Sequence, residues 1–157
     1  MSKYNMISKL IRYGVHKSTP FIITVTSEGY LCGYIGISSN DRKLLNQTYP
    51  NIELDNDIPE ITYDTEVSPV ISGFKHNKPV EHWLGFDNNH YNQKPSVDVI
   101  KKYFPLFGDN IDYLAFIARK ASNMGPNAVF VTEDETEKLC LRLIENIVRI
   151  KENDENE

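Results

Sequence analysis

The densest run of side chains able to do chemistry is Glu81-His82-Trp83-Leu84-Gly85-Phe86-Asp87-Asn88-Asn89-His90-Tyr91-Asn92-Gln93. A strand that ends in an aspartate and opens into a polar loop puts its last side chains at a sheet edge, where sites are often built. Asp87 and His90 have two residues between them, close enough to hydrogen-bond across a turn. Such a pair can orient a general base or supply two ligands to a metal. Two ligands do not make a metal centre, and neither C-x-x-C nor H-E-x-x-H occurs, so no metal is assigned. The competing reading is that Asp87 caps the loop and His90 is a solvated polar residue, because Asp and Asn are ordinary turn formers.

A second group could hold a ligand without transforming it. Tyr30, Tyr34, Phe74, Trp83 and Phe86 are candidates for an aromatic cleft, against the commoner use of such residues in a core. Gly33 and Gly36 interrupt a β-rich run, and a strand glycine often marks close approach of something to its backbone. With Tyr34, Trp83, Asn88 and Asn89 they form a candidate binding set, in which stacking rings and backbone donors suit a base and a phosphate. His76 and His16 fall in turn or loop sequence. His82 and Glu81 alternate faces on their strand, so at most one faces the core. No G-x-x-x-x-G-K-[ST] and no G-x-S-x-G occurs, which excludes a P-loop and the hydrolase nucleophile elbow.

The elements that must position these residues follow from periodicity and turn chemistry. Met6, Ile7, Leu10 and Ile11 recur at helical spacing, predicting a short helix over 3–13 ended by Gly14. Strands over 21–26 and 30–37 flank Ser27-Glu28-Gly29, the clearest hairpin in the chain. A polar segment, 38–60, has the length of a lid or surface insertion, with one helical turn at 41–47. Strands are predicted at 60–63, 67–74 and 80–86, with a turn at His76-Asn77-Lys78-Pro79. Ser96 reads as an N-cap for a helix to Phe104, and a second helix covers 110–122 before Gly125-Pro126. After a short apolar strand or entry segment at 128–131, Thr132 with Glu135 forms a capping box for a last amphipathic helix. The expectation is an α+β fold: one domain over 1–150, with an antiparallel sheet and helices mainly on one face. Residues 151–157 hold four acids and one lysine and read as an acidic, disordered tail.

Composition bounds the function. The 157 residues are 40% apolar and 25% charged, which is globular and enough for one domain with its own core. A net charge of -5 argues against broad capture of nucleic acid or of an anionic membrane. No apolar run is long enough to span a bilayer, and the first residues lack a secretory pattern, predicting a cytoplasmic protein. Cys32 and Cys140 read as small buried hydrophobes, although spacing alone leaves a disulfide open.

Four segments resemble a family of small, uncharacterised proteins of phages and mobile elements. They are Gly29-Tyr30-Leu31-Cys32-Gly33-Tyr34-Ile35-Gly36-Ile37, similar to G-x-x-C-G-Y-[IV]-G-[IV]; a weak match at Ser68-Pro69-Val70-Ile71-Ser72; Trp83-Leu84-Gly85-Phe86-Asp87-Asn88-Asn89-His90, similar to W-x-G-F-D-C-x-H; and a loose match over 133–145 with Cys140 at the family's cysteine. Ser68-Pro69-Val70 replaces a His-Gly-Gly, Asn88 replaces a Cys, and 38–51 lacks a His-Pro segment. The resemblance implies a phage origin, action in the host cytoplasm, and a site at Asp87 and His90; it names no reaction and no cofactor. Three functions follow: a protein sequestering a small polar, nucleotide-like ligand in counter-defence; an inhibitor binding a host protein through acidic surface; and a small hydrolase or transferase using His90 as base and Asp87 as its orienter.

Overall fold

Phe21-Ile22-Ile23-Thr24-Val25-Thr26 is a continuous apolar and β-branched run because both of its faces are covered, and all six residues are buried. In the computed structural model, which describes residues 7–49, 51–52, 54, 58, 60–70, 79–89 and 93–155, this run is the heart of strand β2 (Thr19–Thr26). It pairs on one side with β1 (Ser8–His16) and on the other with β3 (Leu31–Ile37). Beyond β3 come β5 (His82–Asp87) and the short β4 (Tyr63–Thr65), giving one antiparallel sheet in the order β1-β2-β3-β5-β4. The predicted hairpin is present, with Gly29 at φ +93° where the turn requires a left-handed residue. Lys17 and Ser18, at φ 48° and 64°, make the two-residue β1–β2 turn, in the mirror-type geometry that matches strand twist.

Residues paired across strands share a face, which sorts the sheet into two sides. On one side lie Phe21, Ile23 and Val25 of β2, Leu31, Gly33 and Ile35 of β3, and Leu84 and Phe86 of β5. Helix α5 (Glu133–Glu155) lies here, burying Cys140, Leu143, Ile144 and Ile147 against Ile23, Ile35, Leu84 and Phe86. Helices α2 (Val97–Tyr103) and α4 (Ile111–Ser122) cover the end of the same face, packing Ile100, Phe104, Tyr113 and Ile117 on Val25 and Leu31. Each fully buried Ile or Leu contributes about 1.5–3 kcal/mol, so this side carries most of the stabilisation. The short α1 (Ser39–Leu44) follows β3, and α3 (Pro105–Gly108) joins α2 to α4. The architecture is a single α+β domain with helices mainly on one face, as its pattern of elements predicts.

Local chemistry sets the helix starts. Ser96 Oγ accepts from the Val99 amide at 3.4 Å, and Asn110 Oδ1 accepts from the Tyr113 amide at 3.0 Å. Thr132 Oγ1 accepts from the Glu135 amide at 3.2 Å while the Glu135 carboxylate accepts from the Thr132 amide at 3.3 Å, closing the predicted capping box.

Three expectations are corrected. The N-terminal helix is a strand from Ser8 onward; residues 3–6 lie outside the described residues. The register shifts between Leu10 and Arg12, a bulge that leaves Leu10 and Arg12 on opposite faces, so the period-2 alternation breaks and the adjacent apolar pair mimics a helix. The strand predicted at 60–63 forms later, at Tyr63–Thr65, and Val67–Val70 is not strand, while the rest of that segment and its turn at His76 lie outside the described residues. Residues 151–155, assigned to a frayed tail, continue α5. Of the entry segment at 128–131, Val129 makes an isolated parallel bridge with Gln93. Among the described residues no helix is long and apolar enough to cross a membrane.

Candidate functional site

The sheet's other face carries Thr24 and Thr26 of β2, Cys32 and Tyr34 of β3, Gly85 and Asp87 of β5, and Tyr63 of β4. Where these strands meet the β2–β3 turn, a cavity of about 290 Å³ opens between Tyr30, Tyr34, Tyr63, Glu28, Asp87 and Cys32, with Asn89 at its edge. Strand alternation explains why three tyrosines gather there. Tyr34 is paired with Gly85, Gly85 with Tyr63, and Tyr30 lies two residues before Cys32 on the same side. Gly85 is essential to this packing: a Cβ there would lie 2.3 Å from Tyr34 Cδ1. Tyr34 and Tyr63 meet edge to face, with centroids 5.2 Å apart at 85°, and the Tyr63 hydroxyl donates to the Val67 carbonyl at 2.7 Å.

The electrostatics make these groups hydrogen-bonding rather than nucleophilic. Burial, reinforced by the Asp87 charge, pushes the Cys32 thiol up to about 11 against the opposing Tyr34 and Thr24 hydroxyls. Burial likewise raises the Tyr34 and Tyr63 phenols, and Tyr30 is raised first by burial and then by Glu28 and Asp87. At neutral pH all four therefore keep their protons. Tyr30 is 2% exposed, and its hydroxyl finds no hydrogen-bond partner among the described residues. A buried hydroxyl without a partner costs about 1–3 kcal/mol. Asp87, half-buried, accepts from the Asn89 amide at 3.0 Å, which is the loop cap that turn chemistry predicts.

The predicted site residues divide. Tyr34, Asp87 and Asn89 line the cavity. Gly33 faces α5 instead, where a Cβ would stand 2.4 Å from Phe86 Cζ and 2.7 Å from Cys140 Sγ; its backbone approach is to a helix. Asn88 also turns to that side, its Nδ2 donating to Thr136 Oγ1 of α5 at 3.0 Å. Trp83 is buried on the cavity's face but does not line the cavity, and Phe86 is core on the helix side. Gly36 lines a separate, wider cavity of about 630 Å³ at the far end of β3. The lysines of that cavity are already engaged, Lys17 with Glu145 at 2.7 Å and Lys151 with Asp41 at 3.3 Å. His90 and Phe74 lie outside the described residues. Cys32 and Cys140 are both buried free thiols, Cys32 facing the cavity and Cys140, on α5, packing over Gly33 on the opposite face of the sheet. Among the described residues no three His, Cys, Asp or Glu side chains converge as a metal ion requires.

Three further polar residues meet on the helix side of the β4–β5 edge. Arg42 of α1 grips Asp64 of β4 through Nε at 2.8 Å and Nη2 at 2.7 Å, and His82 Nε2 bonds the same carboxylate. Asp64 is 5% exposed in its side chain. Burial pushes its carboxyl up, but the bonds and charges of Arg42 and His82 prevail and hold it below the usual carboxylate range. This cluster clamps α1 onto the sheet edge, and its members are too far apart in sequence for spacing to announce it.

No protein-family profile, no curated protein and no solved structure matches this chain.

Proposed function

We propose that the chain binds a small polar ligand in the cavity between Tyr30, Tyr34, Tyr63, Glu28 and Asp87. The observation that carries this reading is the cavity itself, which gathers Tyr30, Tyr34 and Tyr63 with the carboxylates of Glu28 and Asp87 on one face of the sheet. Convergent rings and a few polar groups around one concavity are what small-molecule sites are built from. The volume, about 290 Å³, lies at the lower end of small-molecule sites, which suits a ligand of metabolite size. Among the described residues, neither Lys nor Arg lines it, whereas two carboxylates do. That balance favours a donor-rich or cationic ligand over the phosphate of a nucleotide. The protonated thiol and phenols favour holding a ligand over attacking it, so catalysis by Asp87 and His90 ranks below binding. In the phage setting implied by the family resemblance, sequestration of a host metabolite would serve counter-defence.

Native mass spectrometry of gently purified protein tests the reading, with Tyr63→Leu as its companion. The expected result is an extra mass lost on denaturation, and a Tyr63→Leu variant that holds it more weakly while keeping the parent's circular dichroism. Retention of the full adduct by Tyr63→Leu, or a clean apo mass together with capture of a host protein, would overturn the small-ligand reading and leave the inhibitor reading in its place.

A further inference from the structure

The cavity's rings and charges together select one ligand chemistry. We infer that the site takes an organic cation, an alkylated ammonium group, seated against Tyr34 and Tyr63 and facing the carboxylates of Glu28 and Asp87. This rests on the ligand-binding reading above and narrows it to a chemical class.

Aromatic faces attract cations through the ring quadrupole within about 6 Å, and alkylammonium ligands are commonly bound in cages of such rings. Here Tyr34 and Tyr63 stand at 85° to one another with centroids 5.2 Å apart, so they form two walls of a corner rather than a closed stack. Both walls are held in place. The Tyr34 ring lies over Gly85, where any Cβ would strike it, and the Tyr63 hydroxyl is tied to the Val67 carbonyl. A rigid corner binds a compact cation without ordering cost.

Charge points the same way. Glu28 and Asp87 both line the cavity, and both add to the upward shift of the Tyr30 phenol, so their negative potential reaches its wall. Lys120 Nζ lies 5.2 Å from the centroid of the Tyr30 ring. Lys120 is not among the described residues that line the cavity, and Tyr34 and Tyr63 are the rings for a bound cation. Choline is a compact member of this class, and its neutral isostere 3,3-dimethylbutan-1-ol has the same shape without the charge.

Titrating the full chain with choline and with 3,3-dimethylbutan-1-ol, by calorimetry and ligand-detected NMR, separates charge from shape. The expected result is saturable choline binding at least tenfold tighter than the alcohol, weakening as salt screens the carboxylates. Glu28→Gln should weaken choline at least fivefold and leave the alcohol unchanged, which a loss of local structure would not do. Tyr63→Leu should weaken choline further. Equal binding of choline and the alcohol would overturn the cation inference and leave the ligand-binding reading standing. The same follows if choline fails to bind while native mass spectrometry shows a neutral or anionic adduct. Failure of choline together with a clean apo mass would end both.

Discussion

Asp64 shows how one side chain is bound to pH. Its carboxylate takes two bonds from Arg42 and one from His82, and its folded pKa lies below the ordinary value. A lowered carboxyl pKa stabilises the fold above the unfolded value, near 3.9, and that stabilisation is lost as pH falls through the folded value. Urea titrations across pH should therefore show stability steady near neutrality and declining below about pH 4. In Asp64→Asn this part of the acid dependence should vanish. The same variant leaves Arg42 half-buried without its counter-charge, for a loss of about 3 kcal/mol at pH 7. An Asp64→Asn protein as stable as the parent would show that the clamp contributes nothing. At this scale the sequence is least informative. Neither Asp64 nor Arg42 stands out by type or spacing, and His82 shows in the sequence only as alternating with Glu81. Tyr34, Asp87 and Asn89 line the cavity, and their place on a strand and at its end is what the sequence shows of them. Gly33 and Asn88 fell to the helix side through the parity of their strands, which residue type does not reveal.

At the scale of elements, the β3 glycine and α5 are built for each other. Gly33 leaves room for Phe86, 1% exposed, and Cys140, 0% exposed, and neither can yield to an added methyl. Gly33→Ala should cost about 2 kcal/mol by overpacking, measured as a lower urea midpoint with an unchanged slope. If the cost appears, choline affinity should still match the parent, because this glycine faces away from the cavity. The hairpin, the Ser96 cap and the Thr132–Glu135 box were all readable, since each rests on contacts within a few residues. The strand β1 was not. Its bulge shifts the register midway, and only pairing with β2 shows that Ile11 sits on the helix side.

Across the whole molecule, one sheet carries helices on one face and the cavity on the other. β2, β3 and β5 are flanked by strands on both sides, whereas β1 and β4 stand at the edges. Amide hydrogen exchange should accordingly be slowest in β2 and β3 and faster in β1 and β4. Uniform protection from β1 to β4 would contradict that order.

The sequence by itself determined the α+β class, the central hairpin, the helix starts and the aspartate at the end of β5. All of these follow from local periodicity, capping and turn chemistry, which act over a few residues. Only the tertiary structure decided which side of the sheet each residue serves. It joined Tyr30, Tyr34 and Tyr63 around one cavity and sent Gly33 and Asn88 to α5. It also closed the Arg42–Asp64–His82 clamp. Those outcomes depend on strand register and pairing partner, and a slip of one residue would reverse every face.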